Sequence, residues 1–586
     1  MVTFSPNHPS AEKTVEKSPW WSIQLFRGII NDVHRRAPYY ASDWWDAWDY
    51  RVVPATIYMY FANVLPALAF SLDMFEQTKG SYGVNEVLLA SVLGAVVFSF
   101  FAAQPLCIVG VTGPITVFNY TVYMIMTPRE TPYMEFMCWI CLWSMVMHFA
   151  LAISNACNAV KWVTRFSCDI FGFYVAFIYL QMGIRVLTRQ WSEGDASAYL
   201  SISIALLVLI FAYAGGFIGE SHLFNHPIRV FFKDYGTPLT VIFFTGYQYF
   251  GKMRRIEVET LPITKAFFPT SDRDWFIRFW EISVGEVFLA IPFALLLTIL
   301  FYFDHNVSSL ISQGTEFPLK KPAGFHWDFF LLGITTGVSG ILGLPAPNGL
   351  IPQAPFHTAS LCVTRKVADE SSETKGKFTT VVDHVVEQRV SNLAQGLLVL
   401  GTMTGPLLTV LGLIPQAVMA GLFFVMGLQA LEGNGLTLKL LYLLQEDNLI
   451  SPSEAFRKAR LGAVWAFVAI ELVGFGATFA ITQTIAAVGF PVIIFILIPV
   501  RTFLMPKWFR PAELGVLDAP TASAFTLESV GGSWGNYEGD TAVSSAVDVS
   551  DMRDSVDGDA MERGSVRIDE SPDQIREIER TRSKIE

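Results

Sequence analysis

Long apolar runs fill the chain between about residues 52 and 505. A bilayer crossing needs about 20 largely apolar residues in one helix. By that rule the sequence predicts about fourteen spans, which lie near 52–75, 86–103, 105–126, 133–158, 169–188, 199–219, 237–250, 284–305, 326–343, 349–363, 391–412, 415–432, 460–479 and 482–504. A spanning barrel would show short strands of alternating polarity instead. We therefore predict an all-α polytopic membrane protein.

The composition excludes a soluble enzyme. Charged residues make up 16% of the chain, against roughly 25% in soluble domains, and the mean hydropathy is +0.41. There is no Walker A lysine after a glycine loop, no HExxH and no GxSxG elbow. Cys138 and Cys141 form a CxxC without a second pair, so no metal site is predicted. We expect neither catalysis nor a cofactor.

Charge divides the chain into three regions. Residues 1–50 combine rings and charges at helical spacing around 39–51, which predicts an interfacial amphipathic helix in an N-terminal segment. Residues 51–505 form the transmembrane domain. Residues 506–586 form an acidic tail, predicted to be largely disordered, and 511–586 hold 17 acidic and 7 basic residues of a chain whose net charge is −11. No concentrated basic face exists, so we expect no binding of nucleic acid.

The basic residues of the short loops predict the orientation. Cytoplasmic loops carry an excess of Lys and Arg. With an even number of spans both termini share one side, and most short-loop cations fall there, although the loop at 251–283 opposes the pattern. We predict cytoplasmic termini from Lys161, Arg165, Arg229, Lys233, Lys320, Lys321, Arg365, Lys366, Arg457, Lys458 and Arg460.

Two apolar segments cannot be continuous spanning helices. They cover 104–120 and 343–358, and the second holds four prolines between Pro345 and Pro355. Proline removes an amide donor and clashes with the preceding turn, but the first turn of a helix tolerates it. Each segment therefore predicts an extended stretch that feeds a half-helix, with Thr112 and Asn348 as N-caps.

A matched pair of broken segments indicates a transport site. Unwound backbone at membrane depth is tolerated where it lines a cavity, and such breaks in both halves of a transporter mark its substrate site. Each half-helix N-terminus supplies about half a positive charge together with free N–H groups. We predict an anion site that needs no Arg or Lys. The alternative is that the breaks are structural kinks.

An ionisable residue lies between these segments in the chain. Asp304 ends the apolar stretch that begins at Leu300, and an ionisable group in a span is a functional hypothesis by default. Three interpretations stay open: Asp304 carries a coupling proton, binds a cation, or caps a helix at the interface. His148 and Glu471 are interpreted as partnered packing residues.

Several of these stretches carry a family resemblance, which covers about 40–505 in order. They are Tyr82–Leu89, Gln104–Pro114, Phe118–Tyr123, Leu261–Thr270, Phe301–Ser309, Pro345–Thr358, Val386–Arg389 and Ala486–Pro491. Together they resemble the bicarbonate-transporter superfamily and, within it, the borate transporters of fungi and plants.

The resemblance implies two inverted repeats of seven helices, arranged as a core domain that moves against a static gate domain. Spans one to four and eight to eleven would form the core. The anion would bind between the broken third and tenth spans, with Thr112 and Gly113 on one side and Asn348, Gly349 and Gln353 on the other, and Asp304 would serve coupling. The resemblance also implies a homodimer in contact with membrane lipid.

One departure bears on selectivity. Animal chloride/bicarbonate exchangers of this superfamily carry an Arg in the tenth span where this chain has Gln353. We therefore expect a secondary active transporter that exports borate across the membrane, with a proton as the coupled ion. We expect it in the plasma membrane, with the vacuolar membrane as the alternative location. Two further functions stay open: an exchanger of bicarbonate or another inorganic anion, and a non-transporting membrane sensor or scaffold.

Overall fold

The computed structural model describes residues 24–221, 223–368, 378–446, 448–451 and 454–530. Its strands are β1 (Val109–Gly110), β2 (Asn348–Gly349), β3 (Cys362–Ala368) and β4 (Phe378–Val385). Its helices are α1 (Arg27–Arg36), α2 (Tyr40–Trp45), α3 (Val52–Gln77), α4 (Val84–Phe101), α5 (Gly113–Met126), α6 (Tyr133–Ile153), α7 (Arg165–Arg189), α8 (Asp195–Glu220), α9 (His226–Tyr247), α10 (Val284–Ser312), α11 (Phe325–Ile341), α12 (Gln353–Ser360), α13 (Val390–Thr402), α14 (Gly405–Leu411), α15 (Gln416–Glu432), α16 (Gly435–Leu444), α17 (Leu461–Thr482), α18 (Phe490–Pro499), α19 (Met505–Trp508), α20 (Pro511–Leu517) and α21 (Ala524–Leu527).

The helical membrane fold is confirmed. In the described residues, 8 helices are long and apolar enough to cross a membrane, or up to 10 if each of two bent helix pairs is one span. The bent pairs are α13 with α14, at 85°, and α15 with α16, at 71°. The other predicted runs correspond to α5, α9, α11 and α12. Of these, α5 and α12 are the half-helices, with 14 and 8 residues.

One predicted run has the wrong start. The sequence pattern places it at 237–250, but α9 begins at His226. A proline follows directly at position 227, at the start of the helix, where its missing N–H costs nothing. Arg229 and Lys233 in the first turns of α9 interrupt the apolar run, so the sequence pattern placed the start of the span after them.

The packing of the helices repeats between the two halves of the chain. α6 packs against α10 and α11, and α13 packs in the same way against α3 and α4. α8 packs against α9 as α17 packs against α18, and α7 packs against α15 at the centre. We call α3–α6 with α10–α13 the core, and α7–α9 with α15–α18 the gate.

Both described ends of the chain are built into the body. On α2, the buried Asp43 accepts hydrogen bonds from Arg36, Lys321 and Arg389 at 2.8–2.9 Å, while the Trp45 ring is 77% exposed. The helix predicted around 39–51 ends at Trp45.

At the other end, α20 and α21 fold onto the body, so it continues to Val530, past the boundary predicted at 505. The boundary at 505 was predicted from the acidic average composition of the whole tail, and that average conceals apolar residues such as Leu514 and Leu517, which are buried in the body. Residues 1–23 of the N-terminal segment and 531–586 of the predicted tail lie outside the described residues.

Candidate substrate site

The two broken segments meet inside the core. β1 pairs antiparallel with β2, so that Val109 lies opposite Gly349 and Gly110 opposite Asn348, and all four residues are buried. The pair also lies against α10. We call the β1–β2 pair the crossing. A Cβ added at Gly349 would come within 2.9 Å of Ser308 Cβ and 3.1 Å of His305 Cα, so the crossing requires glycine at this position. The sequence signal from two separate Gly/Pro clusters therefore describes one place in the fold.

The N-terminus of α5 is capped as predicted. The Thr112 hydroxyl accepts from the N–H of Ile115 at 3.4 Å, and the Thr112 carbonyl accepts from the N–H of Thr116 at 3.1 Å. Pro114 has no N–H, which leaves the Gly113 N–H as the donor that this cap does not use. A Cβ added at Gly113 would lie 2.7 Å from Tyr179 Cε1. The gate helix α7 therefore closes this terminus.

Asp304 lies where the broken segments cross. Asn348 Nδ2 donates to Asp304 Oδ2 at 3.0 Å, and the Thr112 hydroxyl is a second side-chain partner of this carboxylate. Asp304 is 2% exposed. The carboxylate thus joins both broken segments to α10, and this geometry opposes the interpretation of Asp304 as a helix cap at the membrane interface.

The prediction of Asn348 as the N-cap of α12 is wrong. α12 begins at Gln353 and the N-cap position is Pro352. The Asn348 side chain is used elsewhere: its Oδ1 accepts from the Gly349 N–H at 2.8 Å, and its Nδ2 holds Asp304. The extended stretch therefore runs further toward α12 than the glycine and proline pattern indicated.

Gln353 faces a different space from Asp304. Its Nε2 donates to the carbonyl of Ala62 at 3.4 Å, while its buried Oε1 has no hydrogen-bond partner among the described residues. It lines a cavity of about 120 Å³ between core helices α3 and α12 and gate helices α9 and α15. Other lining residues are Tyr58, Phe61, Lys233, Thr237, Phe356 and Gln429. The structure thus gathers Thr112, Gly113, Asn348, Gly349 and Asp304 around the crossing and places Gln353 at the cavity.

A polar network that the sequence analysis missed supports β1. Asn392 Nδ2 donates to the carbonyl of Pro105 at 3.1 Å, and Gln395 bridges Asn392 at 3.1 Å to Asn63 at 3.0 Å. His357 binds the carbonyl of Leu106 at 2.9 Å and Ser391 at 2.6 Å. Asn392 and Gln395, three residues apart on one face of an otherwise apolar helix, were the available signal.

A second missed feature joins the core to the gate. Asp73 of α3 is buried, and its carboxylate lies 3.0 Å from Arg189 Nη2 and 3.6 Å from Arg185 Nη1 of α7. The Arg185 guanidinium also lies 5.4 Å from the centre of the Tyr120 ring on α5. The two residues that the sequence analysis interpreted as partnered packing residues both have partners. Glu471 is paired with Lys439 at 2.6 Å, and His148 stacks on Phe329.

Comparison with known proteins decides the family. Residues 24–198 and 185–522 match the family described as the HCO3- transporter integral membrane domain. The chain belongs to this bicarbonate transporter family. It is 47% identical to Boron transporter 1 of Saccharomyces cerevisiae over 86% of this chain and 87% of that protein. A Schizosaccharomyces pombe protein is 59% identical over 84% of this chain and 95% of its own length.

A more distant relative and a solved structure are also similar to this chain. Band 3 anion transport protein of Homo sapiens is 26% identical over 87% of this chain and 58% of its own length. The murine Solute Carrier 26 family member A9 anion transporter, solved in its inward-facing state, superimposes with a TM-score of 0.52 at 11% identity, over 84% of this chain and 75% of that one. This likeness shows the fold. Membership of the bicarbonate transporter family, which the resemblance implied, is confirmed by the family match.

Proposed function

We propose that this protein is a secondary active transporter that exports borate, with the anion bound between the N-termini of α5 and α12. The observation that carries the proposal is the crossing of the two broken segments at Asp304, from which the second segment continues to α12 and Gln353 on the wall of the cavity between core and gate. Two half-helix N-termini provide about one positive charge, and Lys233 is a further cation on the lining of the cavity that Gln353 faces. The similarity to Boron transporter 1 supports borate as the substrate.

The chemistry of the site suits a polyhydroxyl anion. Borate, formed when boric acid takes up hydroxide, both donates and accepts hydrogen bonds through its hydroxyl groups. The amide of Gln353 and the hydroxyl of Thr112 also do both, whereas the helix N-termini only donate. Chloride only accepts. The donor and acceptor mixture at this site therefore favours borate over a halide.

Transport then requires the core to move against the gate. In this proposal the anion travels with α5 and α12. Asp304, whose carboxylate contacts both broken segments, is the group that takes up the coupling proton. The protein works as a homodimer in contact with membrane lipid, in the plasma membrane or alternatively the vacuolar membrane, with cytoplasmic termini and without enzyme activity. Residues 51–505 carry transport, 1–50 and 506–586 flank them, and the C-terminal flank packs onto the transport body as far as Val530.

A second candidate is the exchange of bicarbonate or another inorganic anion on the same scaffold, which the family and the likeness to Band 3 anion transport protein support. A membrane sensor without transport activity is the third. Deletion of 531–586 distinguishes a sensor from a transporter, because a transporter should keep its activity without these residues whereas a sensor should lose its output. Residues 511–530 must stay in that variant, because they pack onto the body.

The test of the proposal is boron export from yeast that lacks its own boron exporter. Cells that express the protein should hold less boron after a boric acid load than cells with an empty vector. Proteoliposomes loaded with borate, bicarbonate or chloride should release borate fastest. Equal boron in both cultures, with the protein present in the membrane, would reject borate export, and faster bicarbonate or chloride flux would favour the exchanger.

A further inference from the structure

The chain segment 518–530, which we call the strap, crosses from the gate to the core at the end of the body where α1 also lies. α20 directly precedes it, and the turn at 528–530 packs against α1 and α11. Both contact regions of the strap are buried, as Asp518 is 4% exposed and Ser529 is 0% exposed. A surface connection would not bury its polar side chains in this way.

The first anchor of the strap is on the gate. Asp518 Oδ1 accepts from the N–H of Phe166, in the first turn of α7, at 2.9 Å, and Asp518 Oδ2 accepts from Arg501 Nε at 2.5 Å. Just before it, Leu514 and Leu517 of α20 pack in a gate cluster with Phe166 and other apolar side chains of α7 and α17. An ion pair, a capped helix and an apolar contact therefore hold this anchor together.

The second anchor is on the core. Ala522 forms an antiparallel bridge with Gly314, which follows α10. The Ser529 hydroxyl donates to Asp32 Oδ1 at 2.7 Å and accepts from the N–H of Phe325, the first residue of α11, at 3.3 Å. Asp32 Oδ2 in turn accepts from the N–H of His326 at 2.8 Å. Ser529 and Asp32 together satisfy the first amides of a core helix.

Only a short connection joins the two anchors. Between Asp518 and Ala522 lie three residues, 519–521, and four residue steps reach at most about 14 Å when fully extended. Pro520 restricts the chain further. A displacement of the core relative to the gate that would carry the two anchors further apart than this span has to break one of them. On its own side the strap contributes only neutral hydroxyl and backbone groups to the core anchor, where Ser529 bonds to the Asp32 carboxylate. The gate anchor adds a full ion pair between Asp518 and Arg501 to the apolar packing of α20, so the core anchor is the one that opens.

We propose that the strap is an autoinhibitory tether, which holds the core against the gate in the arrangement seen here and must leave its core anchor during each transport cycle. The proposal rests on transport by movement of the core, as proposed above. It predicts that weakening the core anchor speeds transport without changing the affinity for borate, because the strap touches neither the crossing nor the cavity.

The test combines a kinetic readout with a conformational one in proteoliposomes. The variant Thr526→Val/Ser529→Ala removes two hydroxyl groups of the core anchor, since the Thr526 hydroxyl donates to the carbonyl of Gln313 and the Ser529 hydroxyl to Asp32. The matched control is Ser167→Ala, which removes a buried hydroxyl that donates to the carbonyl of Thr164 within the gate. We expect the anchor variant to export borate at least twice as fast with an unchanged KM, and the control to match wild type. Ala522→Cys with Gly314→Cys, oxidised to a disulfide across the bridge, should stop export until a reductant is added.

The conformational readout does not depend on borate. Phe356→Cys places a thiol in the cavity between core and gate, and the native cysteines are all buried. Its labelling by a hydrophilic thiol reagent should fall at least twofold in the anchor variant, because the freed core leaves the arrangement that holds the cavity open. Unchanged labelling and export in both the anchor variant and the disulfide variant would overturn the tether. Altered labelling without any borate flux in wild type would reject borate transport and keep the tether.

Discussion

The N-termini of the two half-helices occupy equivalent places in the two halves of the fold but differ in access. α5 has 14 residues and a Thr112 cap, and Tyr179 of the gate covers Gly113. α12 has 8 residues and no side-chain cap, and its first residue, Gln353, opens onto the cavity. A matched pair of helix termini is thus closed on one side and open on the other.

The contacts with the gate explain this difference. α5 meets α7 at two levels, through Gly113 with Tyr179 and through Tyr120 with Arg185, and the Asp73 ion pairs reinforce the same boundary. α12 faces the gate across the cavity instead. If the anion binds between these termini, as proposed, it reaches the site in this arrangement along α12, while α5 forms the wall that has to separate from the gate in the opposite state.

The largest effect should come from the carboxylate that joins the two termini. Asp304→Asn keeps the shape of the side chain but removes its charge, so export should fall to the empty-vector level in the yeast assay. Glu286→Gln, on the first turn of the same helix α10, is the matched control and should export like wild type. Export by Asp304→Asn at the rate of the control would remove this residue from the mechanism.

Gly113→Ala tests the closed terminus. The added methyl group meets the buried Tyr179 ring at 2.7 Å, and overpacking of this kind costs about 1–3 kcal/mol. We expect at least tenfold slower export and a lower melting temperature. Gly405→Ala is the control, because Gly405 also begins a helix and precedes a proline, but nothing lies within 4 Å of its added Cβ. Similar losses in both variants would mean that the contact with Tyr179 is irrelevant.

Gln353→Arg tests the open terminus. A cation at the cavity raises the positive charge of the site, so we expect several-fold slower borate export and faster chloride or bicarbonate exchange in proteoliposomes. Gln353→Leu removes the hydrogen-bonding amide without adding charge and should slow all three anions. If Gln353→Arg left the ratio of borate to chloride flux unchanged, this residue would not set selectivity.

Thr112→Val should have the smallest effect. Loss of a capping hydroxyl costs typically about 1 kcal/mol, and export should fall roughly fivefold if the cap is needed for the active shape of the site. Thr116→Val removes a hydroxyl from the same helix, where it bonds only to the Thr112 carbonyl at 3.0 Å, and it serves as the control. Equal rates in the two variants would show that the cap and its contact with Asp304 do not matter for transport.

The sequence predicted more about the fold than about the site. Apolar runs of span length and clusters of Gly and Pro are local signals, so the helical body, both broken segments and the Thr112 cap could be found along the chain. The start of α12 could not, because Pro352 and the use of Asn348 by Asp304 depend on a contact between distant segments. The same limit hid Tyr179 and the Asp73 ion pairs, since nothing in an apolar run marks which residue will face another domain.

The central claim is that the anion lies between the N-termini of α5 and α12. The most direct measurement is a pair of cryo-EM maps of the protein in nanodiscs, one with saturating borate and one without. The account predicts extra density within hydrogen-bond distance of the Gly113 N–H or the Gln353 amide and next to the crossing at Asp304. Density at any other place, or none at a borate concentration that saturates transport, would contradict it.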